Sequence, residues 1–262
     1  FMDFLLYAIS GAVVGLIVGI TGIGGGSLMT PLLLLFGIPP HIAVGTDLLY
    51  AAITKAGGVY SHHKQKTIRW PISLVMIAGS IPSALLTGYF LSSFFVDYQN
   101  YTGVITTTLG FMLLMTATLL IFRQRIQIFA SRQTDLSRTS WLQRNKTTLT
   151  FLMGIVLGVL VTLSSVGAGA IGTAILLVLY PHLRSIHVVG TDLAHAVPLT
   201  LIGGMIHMSL GNVDYQLLGA LLVGSIPAIH LGSKIGNYLP ENIIRTSLAA
   251  ILMILGAKYI FF

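Results

Sequence analysis

Long apolar blocks dominate the hydrophobic pattern of this chain. The longest cover residues 4–21, 71–96, 101–122, 148–165, 215–238 and 242–262. At a rise of about 1.5 Å per residue, about 18 helical residues are enough to cross most of a hydrocarbon core about 30 Å thick. The pattern therefore predicts an all-α polytopic membrane protein.

The two halves of the sequence repeat each other. Val-Gly-Thr-Asp-Leu at 44–48 returns at 189–193, and Gly-Ser-Ile-Pro at 79–82 returns at 224–227, both at an offset of 145. Upstream the offset is 143, and it relates Gly11, Gly15, Gly24 and Gly26 to Gly154, Gly158, Gly167 and Gly169. A shared register over this length indicates an internal duplication.

Each half contains five apolar segments, and the second of each five is too short to span a membrane. These short segments cover residues 28–37 and 170–180. An odd number of segments predicts that the halves are inverted relative to each other, each with one short broken or re-entrant helix after a glycine-rich break. We expect a first repeat at 1–122, a basic cytoplasmic linker at 123–147 and a second repeat at 148–262.

The distribution of charge supports a membrane topology rather than binding to nucleic acid. Only 8% of the residues are charged and the formal net charge is +7, with a mean hydropathy of +0.89. Basic residues cluster in the loops at 62–70 and 123–146, which the positive-inside rule places in the cytoplasm. Both termini are then extracytoplasmic, and the expected location is the cell membrane.

Cysteine is absent from the sequence, which excludes disulfides and thiolate chemistry. The first apolar block resembles a signal peptide in length, but it has a repeat partner later in the chain. We therefore expect it to be retained as a span.

The glycine-rich breaks are candidate anion sites. The residues concerned are Gly24, Gly25, Gly26 and Ser27 in the first half, and Gly167, Ala168 and Gly169 in the second. Each break precedes a short helix, where free N–H groups and the helix dipole attract anions. Close packing of helices through small residues is the alternative interpretation. Broken helices at matching positions of inverted repeats are typical of secondary transporters with a mid-membrane site.

Polar residues inside the apolar segments supply further candidates. Those predicted to bind solute are Thr46, Lys55 and Thr191, and those that could couple proton movement are Asp47, Asp192 and His195. Intramembrane ionisable residues are costly, so each is a functional candidate.

Structural interpretations of the same residues stay open at this point. Both aspartates follow Gly-Thr at a predicted helix start, where Asp is a good N-cap. Lys55 could extend to the interface. His195 could form a titratable couple with Asp192, three residues earlier on the same helical face, or it could be a buried residue with a satisfied hydrogen bond. His62 and His207 could cap helix ends or contribute to a site. The sequence shows no metal-binding pattern and no nucleophile motif, so neither a cofactor nor enzyme activity is expected.

These motifs resemble the sulfite exporter TauE/SafE family, also called the toluene-sulfonate uptake permease family. The resemblance rests on Gly22-Ile23-Gly24-Gly25-Gly26 before Pro31, on Val44-Gly45-Thr46, and on the segment from Val189 to Leu199 with Gly224-Ser225-Ile226-Pro227. It covers nearly the whole chain. It implies a cell-membrane permease that moves sulfite, sulfonates such as sulfoacetate, or related anions, in most cases outward.

The resulting hypothesis is a secondary transporter that binds a small sulfur-containing anion between the two breaks. A passive anion channel and an uptake permease for a related organosulfur compound are the alternatives. The expected partners are the anion and the lipid bilayer, and a homodimer is one assembly that the sequence allows.

Overall fold

The computed structural model describes residues 2–21, 29–94, 98–133, 141–235 and 241–261. Across these ranges the secondary structure is helical, and no β-strand is present. The described helices are α1 (Met2–Thr21), α2 (Met29–Leu35), α3 (Pro40–Lys64), α4 (Trp70–Phe94), α5 (Tyr98–Gln133), α6 (Trp141–Arg144), α7 (Lys146–Ser164), α8 (Ala170–Leu179), α9 (Ser185–Ser209), α10 (Tyr215–Ile235) and α11 (Glu241–Phe261).

The prediction of an all-α polytopic membrane protein is confirmed. In the described part of the chain, α4, α5, α7, α9 and α10 each contain a stretch long and apolar enough to cross a membrane. Large apolar side chains face outward, among them Val223 at 64% exposure and Ile254 at 70%. A water-soluble protein rarely exposes apolar surface on this scale, whereas lipid covers it without cost.

The short apolar segments form short helices, and other boundaries differ from the predicted ones. Helix α2 has 7 residues and α8 has 10. Helices α3 and α9 begin at Pro40 and Ser185, upstream of the Gly-Thr-Asp motifs where the sequence placed the helix starts. In α3, proline at the first helical position favours the earlier start. Helix α5 continues to Gln133, so the first part of the expected linker is helical.

The main helix pairs combine one helix from each half of the sequence. Helix α1 packs on α10, α4 on α7, α3 on α9 and α5 on α11. In the repeat register α1 corresponds to α7 and α4 to α10, so the first two pairs are equivalent. The helices of the two halves therefore pack against each other and do not form two separate bundles. Their inverted orientation across the membrane stays a prediction.

Glycines bring the backbones of the equivalent pairs into contact. A Cβ atom added to Gly79 of α4 would lie 2.3 Å from the Phe151 carbonyl oxygen of α7. At the matching position, a Cβ on Gly224 would lie 1.8 Å from the Ala8 carbonyl oxygen. These positions explain part of the high glycine content, because only a residue without a side chain allows so close an approach.

Substitution of Gly79 by alanine is expected to destabilise the protein. The added methyl group must push α4 away from α7, and overpacking of this kind costs about 1–3 kcal/mol, or roughly 3–10 °C in the apparent Tm. Gly219→Ala in α10 is the matched control, since nothing lies within 4 Å of its added Cβ. Thermal unfolding in detergent measures both, and equal Tm values for the two variants would contradict the close packing.

Candidate functional site

Buried polar residues gather where α3 crosses α9. Asp47, Tyr50 and Lys55 of α3 and Asp192 and His195 of α9 are each at most 3% exposed. Asp47 and Tyr50 are three residues apart, as are Asp192 and His195, which places each pair on one face of its helix. Burial of so many polar groups in a membrane protein marks a site rather than a lipid-facing surface.

Asp47 caps a neighbouring helix rather than its own. Its Oδ2 atom accepts hydrogen bonds from the backbone N–H of Thr30 at 3.1 Å, from the Thr30 hydroxyl, and from the Ser165 hydroxyl at 3.0 Å. The interpretation of Asp47 and Asp192 as N-caps of their own helices is wrong, because α3 and α9 begin seven residues before them. Asp47 instead joins the start of α2 to the break after α7.

The second glycine-containing break follows α7 directly. Gly167 has φ 113° and Gly169 has φ 124°, values that glycine adopts without strain. Ser165, at the end of α7, also has a positive φ of 57°. Residues 166–170 are buried. Within the described chain, the backbone N–H groups of residues 167–170 have no hydrogen-bond acceptor. Buried N–H groups without acceptors are rare, and here they lie at the N-terminus of α8.

The first break lies outside the described residues. This applies to Gly24, Gly25, Gly26 and Ser27, whose predicted role in anion binding stays a prediction.

Lys55 reaches the second break from the first half of the chain. Its ammonium group donates a hydrogen bond to the Ala168 carbonyl oxygen at 3.3 Å, and the side chain is only 3% exposed. The interpretation that Lys55 extends to the membrane interface is therefore wrong. The ammonium lies close enough to Asp192 and Asp47 to interact electrostatically with both carboxylates. Lys55 is therefore a buried basic residue that interacts with two acidic groups.

Asp192 has fewer partners than its repeat counterpart Asp47. Its Oδ1 atom is buried without a hydrogen-bond partner among the described residues. This oxygen packs against the first turn of α8, where a Cβ on Gly172 would lie 1.9 Å away. Glycine at this position lets the carboxylate approach the helix start.

His195 is bonded to α4 rather than to Asp192. Its Nε2 atom lies 3.0 Å from the Ser80 hydroxyl, while Nδ1 has no partner within the described ranges. The repeat register relates this pair to Tyr50 and Ser225, whose hydroxyl groups are both buried without a hydrogen-bond partner in the described part of the chain. Sequence reasoning missed both serines, although the repeated Gly-Ser-Ile-Pro motif contains them.

Thr46 and Thr191 connect helices in the same way in both halves. The Thr46 hydroxyl oxygen accepts a hydrogen bond from the Asp214 N–H at 3.1 Å, and that of Thr191 accepts one from the Arg69 N–H at 3.0 Å. Thr191 also donates to the His187 carbonyl oxygen at 2.6 Å. These bonds fix the segments before α10 and α4. Contact of either threonine with an anion stays a prediction.

Thr191→Val is expected to lower stability more than anion affinity. The substitution removes an acceptor and a donor that the backbone uses, at a cost of about 1–3 kcal/mol. Thermal unfolding and anion titration of the same purified sample separate the two effects. A large loss of affinity without loss of stability would instead place this hydroxyl at the solute.

The two repeat-related histidines close the ends of α3 and α9. His62 Nδ1 lies 2.7 Å from the Thr67 hydroxyl, and His207 Nδ1 lies 3.3 Å from the Asn212 side-chain nitrogen. His207 Nε2 is also 2.8 Å from the Thr162 carbonyl oxygen. Each histidine contacts the residue five positions later, which supports the helix-capping interpretation.

Comparison with known proteins places this arrangement in a family. The model of the family described as "Sulfite exporter TauE/SafE" matches residues 7–259. The probable membrane transporter protein YjnA of Bacillus subtilis is 39% identical over 95% of this chain and 97% of its own length. YdhB of the same organism is 32% identical over 94% and 96%, and MJ0441 of Methanocaldococcus jannaschii is 28% identical over 96% and 93%. Both are also named probable membrane transporter proteins. No solved structure matches the chain.

Proposed function

Because the chain belongs to the sulfite exporter TauE/SafE family of membrane transporters, we propose that it is a secondary transporter that exports small sulfur-containing anions. Sulfite and sulfonates such as sulfoacetate are the proposed substrates. The family description supports sulfite, whereas the names of the relatives state only membrane transport. In this proposal the protein moves the anion without converting it chemically.

The observation that carries the proposal is the buried ammonium group of Lys55 beside the break at 167–170. A cation and backbone N–H groups without acceptors are the donors that bind oxyanions in a water-poor site. Inside a membrane, irregular backbone is tolerated only where it is buried in protein or lines a cavity. An anion between Lys55 and these N–H groups would accept hydrogen bonds from the ammonium group and from the backbone.

The acidic residues supply a reason for proton coupling. With Lys55, Asp47 and Asp192 all ionised, the centre carries a net charge of −1 and repels an anion. Three donated hydrogen bonds stabilise the ionised form of Asp47, whereas Asp192 has no such donor in the described chain. We therefore assign the proton to Asp192, so that proton and anion favour each other's binding. His195 would anchor α9, which carries Asp192, to α4 through its hydrogen bond with Ser80.

The proposed export direction follows from gradients rather than from the site itself. A carrier that binds a proton and an anion together runs in either direction, according to the sum of the two gradients. In a cell that produces the anion, net export requires an outward anion gradient larger than the inward proton gradient, which drives uptake on the same carrier.

The proposed topology completes the account of transport. The halves at 1–122 and 148–262 would be inverted in the cell membrane around the central site, with the basic segment 123–147 in the cytoplasm and both termini outside. Helix pairs drawn from both halves support a shared centre. A homodimer is compatible with this arrangement.

Counterflow in proteoliposomes tests the proposed function. Vesicles loaded with unlabelled sulfite or sulfoacetate should take up labelled anion faster than empty vesicles, because a carrier exchanges solute without net transport. The better competitor identifies the substrate class. Flux without stimulation by internal anion would indicate a channel, and no flux with either anion would refute the sulfur-anion proposal.

A further inference from the structure

A basic cavity lies at the end of the protein predicted to face the cytoplasm. Its volume is about 480 Å³, and its lining includes Arg69, Lys146 and His182. These residues come from the connection between α3 and α4, the start of α7 and the connection between α8 and α9. No acidic residue is among the lining residues. The cavity is separate from the central site at Lys55.

Two of the three basic groups lie beside one aromatic ring. The Lys146 ammonium lies 5.7 Å from the centre of the Tyr180 ring, and the His182 ring packs edge-on against the same ring at 6.2 Å. The Tyr180 hydroxyl is fixed in turn by Thr150 at 3.0 Å. The Tyr180 ring therefore brings Lys146, which is half-buried, close to the exposed imidazole of His182, and donors grouped in this way lose less entropy on binding.

The backbone around Arg69 is also fixed. Its N–H is bonded to Thr191, and His187 Nδ1 lies 3.0 Å from the Thr67 carbonyl oxygen. The N-termini of α4 and α7 meet the cavity at Pro71 and Lys146, so two helix dipoles add positive potential.

The repeat register shows that the fold itself does not require this charge. Arg69 corresponds to Asp214, and Lys146 corresponds to Asp3. The matching positions in the other half therefore carry carboxylates. A topology signal needs basic residues near a membrane face, but it does not need them around one cavity.

We propose that this cavity binds an oxyanion, which comes either from solution or from the phosphate of an anionic lipid headgroup. Two cationic side chains, an imidazole and two helix N-termini match the negative oxygens that both sources present. An oxyanion held here would lie outside the central site, so this site goes beyond the proposed transport function.

A single cysteine in the lining allows the electrostatic potential of the cavity to be measured with charged thiol reagents. The chain contains no cysteine, so Leu183→Cys places one thiol in the lining. In phosphatidylcholine nanodiscs, a negatively charged methanethiosulfonate should react with it faster than a positively charged one. Arg69→Gln and Lys146→Gln should each lower this ratio by about fivefold. Lys64→Gln is the control, because Lys64 is exposed and does not line the cavity.

Protection experiments then distinguish the two sources of the oxyanion. Slower labelling with added sulfate in pure phosphatidylcholine indicates a soluble anion, and slower labelling after incorporation of phosphatidylglycerol indicates a lipid headgroup. Either protection should disappear in Arg69→Gln. An unchanged reagent ratio in both charge variants, or no protection by either probe, would overturn the proposal.

A fluorescence titration provides a second readout if the cysteine variant does not fold. Trp70 follows Arg69, and Trp141→Phe leaves it as the only tryptophan of the chain. Its emission should change on addition of sulfate or phosphatidylglycerol, and Arg69→Gln should abolish the change. The same response with and without Arg69 would refute the site.

Discussion

Lys55→Met is expected to abolish counterflow of sulfur-containing anions. The substitution keeps a long side chain in α3 but removes the buried ammonium that lies at the Ala168 carbonyl oxygen. Loss of one partner of a buried charge interaction costs about 2–5 kcal/mol, which corresponds to a loss of affinity of roughly 30-fold or more. Anion titration and counterflow at matched protein density measure the effect.

Two further variants separate binding from folding. Lys64→Gln removes a positive charge from the exposed end of the same helix and should leave transport unchanged. Lys55→Met also leaves two buried carboxylates without their cation, which destabilises the protein. Lys55→Met combined with Asp192→Asn should recover stability without recovering anion binding. Full counterflow in this double variant would show that Lys55 balances the acidic groups and does not bind the solute.

Asp192→Asn is expected to uncouple transport from the proton gradient. In the wild-type protein, acidification outside the vesicles by one pH unit should support up to about tenfold accumulation of anion for each coupled proton. The asparagine variant keeps the shape of the side chain beside Gly172 but cannot exchange a proton. It should therefore show counterflow without accumulation driven by acid.

Asp214→Asn is the matched control for Asp192. The Asp214 side chain accepts a hydrogen bond from the Leu217 N–H at 2.9 Å at the start of α10, a position where asparagine also caps well. This variant should retain acid-driven accumulation. If Asp192→Asn also retained it, the proton would be carried by another group, and Asp47 would be the next residue to test.

Much of the fold could be predicted from the sequence because the bilayer imposes simple rules. Apolar length predicted most helices to within a few residues, and the repeated motifs identified the two short helices. The starts of α3 and α9 were misplaced, since Gly-Thr-Asp looks like a local N-cap. Only the structure shows that Asp47 caps α2 across the fold, with Thr30 and Ser165 as donors.

The composition of the candidate site was only partly predictable. Intramembrane charge identified Lys55, Asp47 and Asp192, because such residues are costly without a role. Contacts between distant segments gave no sequence signal: Lys55 and Ala168 are 113 residues apart. Gly172 is similarly inconspicuous in the sequence, yet it makes room for the Asp192 carboxylate. Contacts of this kind depend on how the two halves pack together.

The roles of the threonine and serine hydroxyl groups were also hard to predict from the sequence. Thr46 and Thr191 stand out because they belong to the repeated motif, but in the structure both accept backbone hydrogen bonds before a following helix. Ser80 and Ser225 attracted less attention in the same repeat register, although Ser80 bonds to His195 and the Ser225 hydroxyl is buried without a hydrogen-bond partner among the described residues. A repeated motif indicates which residues matter without showing whether they support the fold or the site.

The most direct test of the central claim is an experimental structure of the protein with sulfite bound in lipid nanodiscs. We expect density for the anion between the Lys55 ammonium group and the N–H groups of residues 167–170, within hydrogen-bond distance of both. The same density should be absent from Lys55→Met combined with Asp192→Asn. Sulfite bound elsewhere in the membrane-embedded region, with Lys55 still donating to the Ala168 carbonyl oxygen, would contradict the proposed site.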